Sequence, residues 1–245
     1  MSDNFIVVTG AASGIGYAVA ENQLKCGNKV IAVDLNADRL SERFGNNTNV
    51  KTIACDLTSD DGFKFLTTEI KATCDGVSGF VHAAGIDAMA PIGLIQPAVM
   101  QKLFAIHAVF PVRFLGWMAK KGNHAENASC VLISSLSVHE GAKGHVAYAA
   151  AKGAVEGLLK PAAAELLDKG IHLNEVILGV VETEMSQGWI KKLSPEQKAQ
   201  LEKGYPLGLG APEMVADAIA FLLSSNARWI SGQAIVCDGG HGIMK

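Results

Sequence analysis

Phe5-Ile6-Val7-Val8-Thr9-Gly10-Ala11-Ala12-Ser13-Gly14-Ile15-Gly16 joins a short β-rich run to a glycine turn, and a helical stretch follows from about Gly14 to Gly27. A strand that feeds a tight turn and then a helix is the first unit of an alternating α/β chain. Glycine suits that turn for two reasons: the chain must reverse sharply, and its backbone must be able to come close to a pyrophosphate. The helix behind it offers unpaired N–H groups and a partial positive charge to such an anion. A glycine turn alone can be no more than a tight loop. Its place between a first strand and a first helix favours nucleotide binding, through Gly10, Ser13, Gly14, Ile15 and Gly16.

The same alternation runs outward from this unit. Apolar runs at Lys29–Asp34, Val50–Asp56, Val77–His82, Ser129–Ser134, His172–Leu178 and Ala234–Cys237 read as further strands. Helical stretches are expected at about Pro97–Lys121, Ala147–Lys169 and Pro212–Ser224, with an irregular, partly helical segment over 182–210 that resembles a substrate lid. Strands alternating with helices predict an α/β chain with a doubly wound parallel sheet, a Rossmann-type three-layer α/β/α arrangement. With no repeat, low-complexity tract or linker, residues 1–245 form a single domain in this reading. Ligands of such sheets bind beyond the carboxyl ends of the strands, where every motif considered below falls.

Bulk properties narrow the function. At 245 residues the chain suits one α/β domain with a substantial core and is short for two. A net charge of −3 argues against a nucleic-acid binder that works by neutralising phosphates. Lys120-Lys121 and Lys191-Lys192 are short pairs that suit solvated helix faces. The five cysteines are odd in number and lack CxxC spacing, as expected of reduced thiols in a cytoplasmic protein. Residues 1–9 run into a strand without the features of a secretory signal. No apolar run approaches about 18 residues free of polar side chains, so no membrane span is expected. The histidines are scattered without paired ligand spacing, so no metal is expected.

Asp34 ends the second strand, eighteen residues after Gly16. A carboxylate there, followed by Leu35, can accept hydrogen bonds from ribose hydroxyls and repel a 2′-phosphate. It therefore predicts NAD(H) over NADP(H). Asp is also a good helix N-cap, and Asp56 admits both readings, adenine contact or cap. Tyr148 and Lys152 lie four residues apart, on one face of a helix. A free phenol titrates near about 10. The lysine cation is expected to favour the phenolate and lower that value, so that Tyr148 can give a proton to a carbonyl oxygen or take one from an alcohol. Lys152 can also reach the nicotinamide ribose. Ser135, thirteen residues before Tyr148, would polarise the same oxygen.

The stretches Thr9–Gly16, Asp56-Leu57, His82-Ala83-Ala84-Gly85, Ser135, Tyr148–Lys152, Asn174, Gly179–Thr183 and Asp238-Gly239-Gly240 together resemble the short-chain dehydrogenase/reductase family over essentially the full length. The resemblance implies catalysis by Ser135, Tyr148 and Lys152. It implies a nicotinamide carboxamide near Val181 and Thr183, and cofactor lying along Ala84-Gly85 and beside Leu57. It also implies homotetramers built from paired long helices. Three positions depart from the family pattern: His82-Ala83 stands where the family has two asparagines, Leu178 stands for a proline, and His107 stands at the asparagine that completes the catalytic set. In the family that asparagine's backbone carbonyl holds a relay water. Pro111, four residues on, cannot donate to the His107 carbonyl, so either the carbonyl stays free for water or His107 only packs in a kinked helix.

A small-molecule substrate is expected above Tyr148, near Ala88, Met89, Ser137, His139, Glu140, His145, Met185 and Trp189, with Met185 and Trp189 suggesting an apolar part. The two histidines and Glu140 are either recognition groups or ordinary loop residues. The carboxyl half resembles 3-oxoacyl-carrier-protein reductases at Tyr205-Pro206-Leu207-Gly208 and Ser231-Gly232-Gln233, but Leu209 replaces an arginine. Beside the oxidoreductase reading stands a nucleotide-binding sensor or scaffold with weakened catalysis, supported by His107 and opposed by the intact Ser135, Tyr148 and Lys152.

Overall fold

Seven apolar runs form one parallel sheet: β1 (Phe5–Thr9), β2 (Lys29–Asp34), β3 (Val50–Ala54), β4 (Val77–His82), β5 (His124–Ser135), β6 (Ile171–Leu178) and β7 (Ala234–Cys237). Their order is β3-β2-β1-β4-β5-β6-β7. The computed structural model describes residues 4–244, so the part of the sequence reading that rests on residues 1–3 lies outside the described residues. From β1 the chain builds outward to β3, then returns to place β4 on the other side of β1. This reversal opens a crevice at the carboxyl ends of β1 and β4.

Helices cover both faces. α1 (Gly14–Lys25), α2 (Ala37–Phe44) and α9 (Pro212–Leu223) pack on one; α3 (Asp60–Thr73), α4 (Pro97–Phe104), α5 (Phe110–Met118) and α6 (Val146–Leu167) pack on the other. Strand residues alternate between them. Val131 and Val176 join the α1 side, whereas Leu132 and Leu173 join the α6 side with Val155 and Leu159. This period of two turns Glu175, like Leu173, toward α6. α7 (Glu184–Ile190) and α8 (Pro195–Lys203) occupy most of 182–210, so the expected irregular segment is two short capped helices. β5 starts five residues earlier than the apolar pattern indicated: His124, whose Nδ1 bonds the Met118 carbonyl at 2.7 Å, already pairs with Val77 of β4.

Pro97–Met118 is continuous helix, and by length and composition it could cross a bilayer. Its inner face is core instead: Leu103, Phe110, Phe114 and Met118 are fully buried. Arg113 on its outer side pairs with Asp60 at 2.9 Å.

Candidate active site

The glycine turn is held by what crowds it. Gly10 has φ 69°, and a Cβ there would come within 2.8 Å of the Ala84 backbone. A Cβ on Gly16 would run into the Gly10 carbonyl. The turn thus packs against the Ala83-Ala84 segment after β4, as close approach demands. Ser13 takes the extended N-cap conformation but gives α1 no side-chain cap, and no acid lies in the first turn. The first N–H groups of α1 therefore keep their capacity for an anion. That fits a dinucleotide pyrophosphate at Ser13, Gly14, Ile15 and Gly16.

Asp34 stands at the end of β2, beside this turn. Its Oδ2 accepts from the Ala12 N–H at 3.1 Å and its Oδ1 from the Asn36 N–H at 3.0 Å. The cap of α2 is Asn36, whose side chain accepts from Arg39 N–H. Asp34 is therefore not the helix cap. It links the glycine turn to the start of α2, while Leu35 beside it is exposed. Asp56 accepts from the Thr58 N–H at 2.9 Å and the Thr58 hydroxyl at 2.6 Å, which holds its carboxyl below the usual range. The cap of α3 is Ser59, so Asp56 shapes the turn before the helix. The Leu57 side chain is buried in the core, which leaves only its backbone to face a ligand.

Ser135 closes β5, and α6 brings Tyr148 and Lys152 to the same place one turn apart. Lys152 is buried, and its Nζ donates to the Ile133 carbonyl at 2.8 Å and lies 5.7 Å from the centre of the Tyr148 ring. Burial lowers its pKa to about 8, against the opposing charges of Glu175 and Asp87. The Tyr148 phenol is pushed upward: burial dominates, the Asp87 charge adds, and the Ser135 hydroxyl beside it works the other way. This corrects the expectation that Lys152 lowers the phenol. Burial desolvates the phenolate, and Lys152, tied to the Ile133 carbonyl, is not among the groups that shift it.

His107 lies in a π turn, Ala105–Val109, between α4 and α5. In that register the Phe110 N–H donates to the Ala105 carbonyl, five residues back. Pro111, next in line, has no N–H to offer Ile106. The Ile106 carbonyl is taken instead by His82 Nε2 at 2.8 Å. That carbonyl can only accept, so His82 carries its proton on Nε2, and its Nδ1 accepts from the Thr9 hydroxyl at 2.8 Å. Burial lowers His82 to about 3, so it is neutral. The carbonyl that gains a side-chain partner is thus Ile106, one residue before the one the spacing indicated, because the π turn shifts the register by one. His107 donates from Nε2 to the Ile86 carbonyl at 2.8 Å and stands edge-on to Tyr148, ring centres 5.7 Å apart. Its Nδ1 is buried without a partner, and burial lowers its pKa to about 2. A Cβ on Gly85 would collide with the His107 ring.

Beyond β6, Val181 bridges to Gly210, and Thr183 caps α7 with Ser186 in a reciprocal box. A Cβ on Gly14 would come within 3.3 Å of Thr183 Cγ2, so α7 begins against the glycine turn. A cavity of about 580 Å³ runs between Gly14 and Gln187. Arg39 clamps α7 from α2, both guanidinium nitrogens reaching Glu184 at 2.8 and 2.9 Å. Met185 is exposed and Trp189 half-buried, whereas Ser137 Oγ is buried without a partner. His139 and Glu140 are engaged within the protein: His139 with Glu156 at 2.9 Å, Glu140 with His241 at 2.9 Å. His145 sits at the start of α6 with its ring 6.5 Å from that of Tyr148. Sequence reasoning did not single out Asp87, Glu156 or Glu175. Glu175 was visible as the lone acid inside an apolar strand.

A family model described as enoyl-(acyl carrier protein) reductase matches residues 10–242. An uncharacterized oxidoreductase, YmfI, of Bacillus subtilis (strain 168) is 31% identical over 96% of this chain and 97% of its own length. The 2-(S)-hydroxypropyl-CoM dehydrogenase 3 of Xanthobacter autotrophicus (strain ATCC BAA-1158 / Py2) is 30% identical over 98% and 97%. Among solved structures, a 4-hydroxyisoleucine dehydrogenase complexed with NADH superposes with a TM-score of 0.90 at 26% identity, covering 99% of this chain and all of that one. The chain belongs to the short-chain dehydrogenase/reductase family, as an oxidoreductase acting between CH–OH and C=O with a nicotinamide dinucleotide.

Proposed function

We propose that the enzyme oxidises a secondary alcohol, or reduces the matching ketone, with NAD(H), and that Tyr148 is its general acid/base. The supporting observation is the convergence of Tyr148, Ser135 and buried Lys152 beside the glycine turn at the strand ends. The nicotinamide supplies or accepts the hydride. The Ser135 hydroxyl donates to the substrate oxygen and fixes it in front of the phenol. In reduction, Tyr148 gives its proton to that oxygen. The raised phenol is protonated at neutral pH, which is the competent form in this direction. Oxidation needs the phenolate, so oxidation should speed up as pH rises, while reduction, whose acid stays protonated well above neutrality, should change little.

Asp34 supports NAD(H), since its carboxylate repels a 2′-phosphate, and Arg39, five residues on, is held by Glu184. A homo-oligomer is in keeping with the exposed Val109 and Val112 on the long helix, and five free cysteines among the described residues are in keeping with a cytoplasmic setting. Similarity to a 3-oxoacyl-[acyl-carrier-protein] reductase of Vibrio harveyi, 30% identical over 96% of this chain, favours a second reading in which the ketone is a 3-oxoacyl thioester on a carrier. Turnover of NADH and NADPH is to be followed with small ketones, hydroxylated carboxylates and 3-oxoacyl thioesters. The first reading expects NADH-linked turnover of a free ketone. Turnover confined to thioesters with NADPH would replace it with the second, and NADH binding without turnover of any would leave a sensor.

A further inference from the structure

A short 3₁₀ turn, His241–Met244, follows β7, and its first side chain reaches three other parts of the molecule. Asp238-Gly239-Gly240 turns the chain into place, with Gly239 at φ 60° and Gly240 at φ 84°. The Asp238 carboxyl oxygens fix that turn by accepting from the Gly240 N–H at 2.9 Å and the Gly242 N–H at 2.7 Å. The His241 ring is left enclosed, its side chain 16% exposed.

Every side of the ring is in use. Its Nδ1 meets the Gly204 carbonyl, at the end of α8, at 2.6 Å. Its Nε2 meets Glu140 Oε1 at 2.9 Å. Glu140 lies in the loop that Ser135 begins, where its N–H donates to the Leu136 carbonyl at 3.0 Å. Tyr205 stacks on the imidazole, with ring centres 4.4 Å apart and planes within 14°. The Tyr205 hydroxyl in turn accepts from the Val180 N–H at 3.0 Å, next to Val181 in the loop after β6. The packing leaves little slack: a Cβ on Gly204 would lie 3.3 Å from the His241 ring, and one on Gly179 would lie 2.8 Å from the Tyr205 ring.

The acceptors decide the proton count. A backbone carbonyl and a carboxylate can only accept, so an imidazole bonded to both donates from both nitrogens and is a cation. Loss of the second proton would turn a lone pair toward the Glu140 carboxylate, and attraction would become repulsion. Among the described residues, the charged and titratable groups facing the ring are Glu140 from the loop after β5, Tyr205 from the end of α8 and Asp238 from the loop after β7. We propose that His241 is a positioning residue: as an imidazolium it latches the end of α8 to the loop that follows Ser135, and so holds the segment Glu184–Lys203 closed over the substrate. This rests on the reading of Ser135 and Tyr148 as the groups that meet substrate. His241 acts through Gly204, Tyr205 and Glu140, away from the reacting atoms. Histidine is the side chain whose charge ordinarily changes between about pH 5 and 8, so the latch is made in acid and released as pH rises.

The test follows two quantities from about pH 5.5 to about 8.5: KM for an uncharged ketone that the enzyme reduces, and hydrogen exchange over 184–204 corrected for the intrinsic rate. Wild type is compared with His241→Ala, Glu140→Ala and Glu140→Gln. In wild type, KM should rise about threefold or more across the range while the segment loses protection. In His241→Ala, KM should be raised about fivefold or more at the acid end and rise no further, with kcat within about threefold of wild type. Glu140→Gln should keep a low KM throughout, because an amide accepts from the charged ring through its oxygen and donates to the neutral ring through its nitrogen. Glu175 also titrates in this range, to about 7, but is untouched in Glu140→Gln. A KM that still rises with pH in Glu140→Gln would therefore overturn the proposal. So would a flat KM in wild type, or a KM in His241→Ala within about twofold of wild type at the acid end. Should His241→Ala not fold, Glu140→Ala removes the same contact and is expected to show the same raised, flat KM. Hydrogen exchange needs no turnover, so failure of the Tyr148 reading would show separately, as full activity in Tyr148→Phe with the exchange result unchanged.

Discussion

Single side chains at this site are governed by desolvation more than by nearby charge. Tyr148 is the clearest case: its lysine neighbour is present as the spacing implied, yet burial lifts the phenol. One-dimensional spacing tells which groups meet; it does not tell how much water each has lost. Glu175 gives a measurable consequence. Its folded pKa of about 7 exceeds the ordinary 4.5, so between those values the folded chain binds more protons than the unfolded one. Unfolding free energy then falls as pH rises from about 4.5 to about 7, by at most about 3 kcal/mol. Melting temperatures across this range should show a downward slope in wild type that Glu175→Gln lacks; parallel curves would contradict it. Asp34 carries a second expectation. Asp34→Ala should weaken NADH by about tenfold and narrow its advantage over NADPH, seen in fluorescence titration; an unchanged ratio would remove Asp34 from cofactor choice.

At the level of elements, the helix Pro97–Met118 shows where sequence reading stopped. Its length and Pro111 were legible, and so was the consequence that a proline leaves a carbonyl without its N–H. The π turn was not, since no residue type encodes it, and it moves the effect from His107 to Ile106. Gly85 against His107 is a paired choice of the same kind: the ring fills the space that a Cβ would take. Gly85→Ala should cost about 1–3 kcal/mol in thermal unfolding and also lower kcat, because His107 stands edge-on to Tyr148. Pro111→Ala returns an N–H that competes with His82 for Ile106. We expect kcat to fall several-fold with little change in cofactor binding; unchanged kinetics would mean that the π turn is packing alone. The segment 182–210 was harder to read, because α7 and α8 are short and gain their definition from the Thr183 and Ser194 caps and the Arg39–Glu184 clamp.

For the whole molecule, the alternation of apolar runs with helices was enough to give the seven parallel strands and their two covered faces. The glycine turn located the crevice, because β1 is where the strand order reverses. Glu175 escaped notice because β6 already mixes His172 and Asn174 with apolar residues, and the sequence does not show that the acid beside them is fully buried. The reaction proposed for this enzyme depends on Tyr148 exchanging a proton beside the nicotinamide. That is tested most directly by single-turnover hydride transfer from NADH to a ketone the wild-type enzyme reduces, in Tyr148→Phe protein shown by titration to bind NADH normally. The rate should fall by about 10²–10⁴-fold; a rate equal to wild type would contradict the account.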